Sequence, residues 1–125
     1  MIPDDDGLPR VGSTGRTLGV RLGYPNPDIR VSPAGKVYPR SGDMSVAMLP
    51  KDNLSPHRRP PRHGGSDKKI ALYKLETDDL PDELQERIDP YNSERHVFIE
   101  PARVMSFEEY QQALYATRML WQRLR

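Results

Sequence analysis

Two side chains stand out because their chemistry does not match their neighbours. Ser45 interrupts the apolar run of residues 44–49, and His96 opens the alternating run His96-Val97-Phe98-Ile99. A polar group in such a run needs a partner if it is buried. A backbone bond for Ser45 and a loop-capping bond for His96 would meet that need without any function. Ser45, His96 and an acid could also form a hydrolytic triad, but no nucleophile-elbow glycines surround Ser45. His57 and His63 stand six residues apart and could share a metal, although a solvated basic loop accounts for them better. The sequence has no phosphate loop, no paired-glycine dinucleotide fingerprint and no zinc-ligand spacing.

Short strands must position these groups. Residues 44–49 read as a strand with Ser45 opposite Met44 and Val46, and residues 95–100 as one with His96 and Phe98 opposite Val97 and Ile99. Residues 17–22, 36–38 and 70–75 have strand patterning too. Asp78, Asp79, Pro81 and the acids after them have the signature of a helix start, which predicts a helix of about two turns ending before Asp89-Pro90. Ser106 and Glu109 form a capping box. Phe107, Tyr110, Leu114, Trp121 and Leu124 then continue at helical spacing, with Thr117 in the stripe, so the spacing predicts an amphipathic C-terminal helix that includes Trp121. Residues 1–15 read as a flexible lead-in. Residues 50–68, with Pro56, Pro60, Pro61, Gly64 and Gly65, read as a long basic loop.

The expected fold is α+β: one domain over residues 16–125, with a small, mainly antiparallel sheet and the C-terminal helix packed on it. Composition agrees, because 35% apolar and 30% charged residues with 13 Pro and 9 Gly exclude a compact helical bundle. Absent cysteines exclude disulfides and thiolate zinc sites. No apolar run approaches the roughly 18 residues of a membrane span, so no membrane insertion is expected. The acidic start lacks an apolar stretch, so no Sec-type signal is expected and a cytoplasmic site of action is. The overall charge of +1 names no partner. It is unevenly spread: residues 51–69 hold six basic and two acidic side chains, a net of +4, and residues 76–100 hold two and nine, a net of −7.

Two stretches carry a resemblance. The first is Pro27-Asp28-Ile29, Gly35, Pro39, Gly42 and Ser45-Val46; the second is Asp79-Leu80-Pro81, Leu84, Asp89, Tyr91-Asn92, His96, Ile99, Pro101-Ala102 and Met105. In order and spacing, over residues 25–47 and 79–105, they resemble the type VI secretion exported toxin two family of small bacterial effectors. The family pattern has a pair of hydroxyls where this chain has Met44 and Ser45, and its strand histidine matches His96. It has an Arg where Pro25 stands, with Arg21 the nearby substitute, and a Gln before the histidine that is missing here.

The resemblance implies an ADP-ribosyltransferase-like fold, with small, mainly antiparallel sheets forming a cleft, and a toxin that uses NAD to modify a cytoplasmic macromolecule, either protein or nucleic acid. It also implies a cognate immunity or antitoxin protein. In such a site Arg16 or Arg21 would clamp phosphate, Ser45 would order the nicotinamide side, and His96 would bond a ribose hydroxyl or the adenine. Tyr38 or Tyr91 would stack on a ring. Glu100 is the only acid in the His96 strand and shares its side parity, which makes it the candidate third catalytic group. The alternatives are a non-catalytic interaction module on the same fold, or an RNA-targeting toxin that uses His96 and arginines for acid–base and phosphate work.

Overall fold

The computed structural model describes residues 1–23 and 27–125; Pro25 lies outside the described residues. Among the described residues the architecture is α+β, with three small antiparallel sheets and one α-helix late in the chain. The central sheet has three strands in the order β2–β5–β4: β2 Met44–Ala47, β5 His96–Pro101 and β4 Leu84–Ile88. β1 Lys36–Val37 pairs with β6 Met105–Ser106, and β3 Tyr73–Lys74 pairs with β7 Gln122–Arg123. Helix α1 spans Phe107–Ala116. Among the described residues no helix is long and apolar enough to cross a membrane.

The register of the central sheet fixes the site. Ser45 stands opposite Phe98, and Ala47 opposite His96. On the other side of β5, Gln85 stands opposite Glu100 and Arg87 opposite Phe98. Because strand side chains alternate, Ser45, His96, Phe98, Glu100, Gln85 and Arg87 all project from one face. Leu84, Val97 and Ile99 project from the other face and are buried in the core with Leu18, Val20, Val37, Tyr110, Leu114 and Trp121.

The segment expected to be a short helix before Asp89 is instead strand β4. The acids at its start make only a single 3-10 turn, Thr77–Asp79, closed by the Leu80 N–H on the Thr77 carbonyl. Leu84 through Ile88 then pair with β5 in unbroken register, and alternation puts Leu84 in the core with Gln85 and Arg87 on the polar face. Pairing with a long central strand outweighs local helix preference.

The last helix is shorter than its apolar spacing predicts. Its capping box forms as expected, with Glu109 N–H donating to Ser106 Oγ at 3.0 Å. The Thr117 hydroxyl bonds back to the Leu114 carbonyl at 2.6 Å, and a 3-10 turn, Arg118–Leu120, follows. Trp121 stays buried because its indole N–H donates to Thr117 Oγ1 at 3.0 Å, and the chain then leaves as β7.

Residues 17–22 form no strand, although Leu18 and Val20 are fully buried. Gly19 sits at φ 141° with Gly12 O 2.0 Å from where a Cβ would be, so alternation breaks there. The Gln111 side chain takes the role of a neighbouring strand: its carbonyl accepts the Val20 N–H at 3.0 Å and its amide donates to Val20 O at 3.1 Å. Residues 1–15, expected to be a flexible lead-in, are held to the body. Ile2 bonds Arg16, Pro9 is buried, and Arg118 donates to Pro9 O and pairs with Asp4 and Asp6. Only Tyr73–Lys74 of the strand expected over 70–75 is paired. The 50–68 loop contains three single 3-10 turns, tied by Arg59 to the carbonyls of Leu54 and His63.

Candidate functional site

β2 lies at the centre of the site, and a close backbone approach sets its start. Gly42 has φ 142°, and a Cβ there would lie 2.3 Å from both Asp28 O and Ile29 Cα, so only glycine fits. This contact lets Asp43 N–H donate to Asp28 O at 3.1 Å. Asp28 in turn holds Arg21: its carboxylate accepts the Arg21 backbone N–H at 2.6 Å and pairs with the guanidinium at 3.6 Å. Arg21 is thereby tied through Asp28 to the residue two before Ser45.

Ser45 is exposed, and its hydroxyl donates to Asp43 Oδ1 at 2.9 Å. Burial raises the Asp43 carboxyl above its ordinary pKa; the Ser45 bond and the charges of His96 and Arg87 pull it the other way, and Glu100 pushes it up. On the adjacent strand, His96 Nδ1 lies 3.1 Å from Asp89 Oδ2, with the side chain 35% exposed. The Tyr91 backbone N–H and His96 lower the Asp89 pKa. An ionised carboxylate only accepts, so Nδ1 is the donor and a neutral imidazole has its lone pair on Nε2. The ring also meets Phe98 edge to face, with centroids 5.2 Å apart. The Arg87 guanidinium covers the same phenyl ring at 4.6 Å.

Glu100 is fully buried at the far end of this face. Its carboxyl is held by the Arg87 guanidinium, by the Arg40 backbone N–H at 2.7 Å and, at 3.5 Å, by the Gln85 amide. Arg40 reaches it from a left-handed conformation, φ 68°, in the turn that follows Tyr38. Glu100 therefore shares a face with His96 but is enclosed by partners rather than open to a ligand.

Behind the edge of β2 opens a cleft of about 800 Å³. Arg16, Arg21 and Ser45 line it, with Trp121 among its apolar residues. Arg16 pairs with Asp67 at 3.0 Å and Arg21 with Asp28; the two arginine side chains are 59% and 46% exposed, so each retains open donors.

The expected site residues thus fall into two groups that meet at β2. Ser45, Arg16 and Arg21 line the cleft together with Val46, Val97 and Ile99, whereas His96 and Glu100 do not line it and share with Ser45 the opposite face of the sheet. Tyr38 is partly exposed at the Glu100 end, and Tyr91 is almost wholly exposed, next to Asp89 in the β4–β5 turn. His57 and His63 do not meet at a shared site. His63 is buried with Nδ1 on Lys51 Nζ at 3.1 Å, while His57 lines the cleft. No Ser45–His96 relay forms, because the serine proton points to Asp43.

Three groups were missed in the sequence. Asp43 shares strand parity with Ser45, a signal that alternation could have supplied. Arg87 was hidden by the helix expectation, and Asp89 was read as a helix stop and as a position of the second resembling stretch, with no role at the site. No protein-family model, curated protein or solved structure matches this chain.

Proposed function

We propose that the protein is an ADP-ribosyltransferase-type toxin that uses NAD to modify a cytoplasmic macromolecule and is neutralised by a cognate immunity or antitoxin protein. The observation that carries this reading is the gathering of Arg21, Ser45 and His96, from three distant segments, around one edge strand. The sequence resemblance to the exported toxin two family supplies the reaction class. The cleft volume lies in the usual range for small-molecule and cofactor sites, about 300–1,000 Å³. Two half-exposed arginines and a hydroxyl on its wall suit a dinucleotide diphosphate.

NAD, when bound, supplies the ADP-ribosyl group together with nicotinamide as the leaving group. Arg16 and Arg21 bind phosphate oxygens, and pre-formed pairs with Asp67 and Asp28 hold their guanidiniums in position. Ser45 orders the ligand at the edge of β2. His96, oriented by Asp89 on the sheet face away from the cleft, offers its Nε2 lone pair to a ribose hydroxyl or acceptor proton that reaches past the edge of β2. The carboxylates of Asp43 and Asp89 favour positive charge developing beside this face. Tyr38 and Tyr91 offer exposed rings for stacking.

The test is induced expression in bacteria without a neighbouring protein, with NAD binding followed by calorimetry on the purified chain. Growth arrest, NAD binding, and relief of arrest by Ser45→Ala and by His96→Ala are expected. Full toxicity in both variants overturns the site. Tolerated expression without NAD binding points to a non-catalytic module, and RNA loss without NAD points to a ribonuclease toxin.

A further inference from the structure

We propose that Asp43 is a positioning residue that fixes the proton of Ser45, so that the serine meets its ligand as a hydrogen-bond acceptor only. The proposal rests on the reading of Ser45 as part of a ligand site.

A serine hydroxyl has one proton and two lone pairs, and a free one rotates to suit donor or acceptor alike. Here the proton is committed. Ser45 Oγ lies 2.9 Å from Asp43 Oδ1, Asp43 being the residue that immediately precedes β2. An ionised carboxylate cannot reciprocate as a donor, so the exposed side of Oγ presents lone pairs. The ligand group that sits on Ser45 must then bring an N–H or O–H of its own, such as a primary amide or a sugar hydroxyl. A carbonyl, ether or phosphate oxygen finds no donor there.

The scaffold keeps Asp43 in place. Its backbone N–H is bound to Asp28 O, and Gly42 permits that approach. The next backbone N–H, of Met44, donates to the Tyr110 hydroxyl at 3.1 Å. The groups whose charge reaches Asp43 are His96 and Glu100 on β5 and Arg87 on β4, while the neutral Tyr110 phenol on α1 has its own pKa raised by burial and by Asp43. Burial opposes ionisation of Asp43, whereas the Ser45 bond favours it. Acidification that protonates Asp43 therefore releases the serine proton and cancels the selectivity.

Two measurements on the full chain test this. The first is a carbon-detected NMR titration of the Asp43 side chain. Its midpoint is expected to rise in Ser45→Ala, because the carboxylate loses its donor; an unchanged midpoint overturns the proposal. A structural role for Asp43 alone would not move this midpoint. The second is calorimetry with NAD and with its 3-acetylpyridine analogue, in which a methyl ketone replaces the amide. The wild type is expected to prefer NAD by about tenfold. The preference should vanish in Ser45→Ala and in Asp43→Ala, the latter gaining affinity for the ketone. Equal wild-type affinities overturn the proposal. If neither dinucleotide binds, the NAD reading falls, and the titration alone decides whether Asp43 holds the serine proton.

Discussion

The polar face of the central sheet has a closed end and an open end. At the closed end, fully buried Glu100 is held by Arg87, the Arg40 N–H and Gln85. At the open end, Asp43 has one side-chain partner, exposed Ser45, and His96 leaves Nε2 uncommitted. A buried carboxyl is tolerated when its lone pairs are filled, and a filled carboxyl has little capacity left for a ligand. The difference separates a strut from a working edge on one sheet face. It assigns Glu100 to the strut despite its placement on the His96 strand.

The comparison can be broken by substitution. The largest effect is expected from Glu100→Ala, which leaves the Arg87 guanidinium and the Arg40 N–H without their acceptor. Breaking a buried pair costs roughly 3–5 kcal/mol, readable by urea denaturation. A loss under about 1 kcal/mol would show that the closed end is not a strut. Tyr110→Phe comes next. The Tyr110 hydroxyl donates to Ile99 O at 2.6 Å and accepts Met44 N–H, so it bridges β5 and β2 from the helix. Its removal strands these groups at about 1–3 kcal/mol.

At the open end, Asp43→Asn sharpens the contrast through its pH dependence. Burial raises the Asp43 pKa in the folded chain, so the folded state binds the proton more tightly than the unfolded one. Stability from this group is present below the ordinary aspartate pKa and is lost as pH rises through the raised value. The variant should match the wild type in acid and gain on it towards neutral pH, as followed by thermal melts across pH. A growing wild-type advantage instead would place Asp43 with Glu100 as a strut. The smallest effect on folding is expected from Ser45→Ala, within about 0.5 kcal/mol by denaturation, although it should relieve growth arrest.

The parts of this arrangement that follow local rules were legible in the sequence. The alternation in β5 put Val97 and Ile99 on the core side and His96 and Phe98 opposite, and the Ser106–Glu109 box marked the start of α1. What was not legible depends on distant partners. Acids and a proline before Leu84 have the signature of a helix start, yet β5 recruits Leu84–Ile88 as a strand and carries Arg87 to the polar face. Val20 looked like a strand residue, and its pairing partner is the side chain of Gln111. The grouping of Arg21, Ser45 and His96 depends on Gly42 and Asp28 contacts that no local pattern encodes.

The clasp formed by Tyr110 and Gln111 has a consequence for the timing of synthesis. A ribosome emits β2, β4 and β5 before it emits the helix that fastens β2 to β5 and Val20 to the body. A nascent chain paused upstream of these two residues can pair β2 with β5 but lacks the Tyr110 hydroxyl that bonds to both strands. The last bonds that fasten this edge and Val20 to the body form only after translation has passed Tyr110 and Gln111, a delay written into the order of the elements.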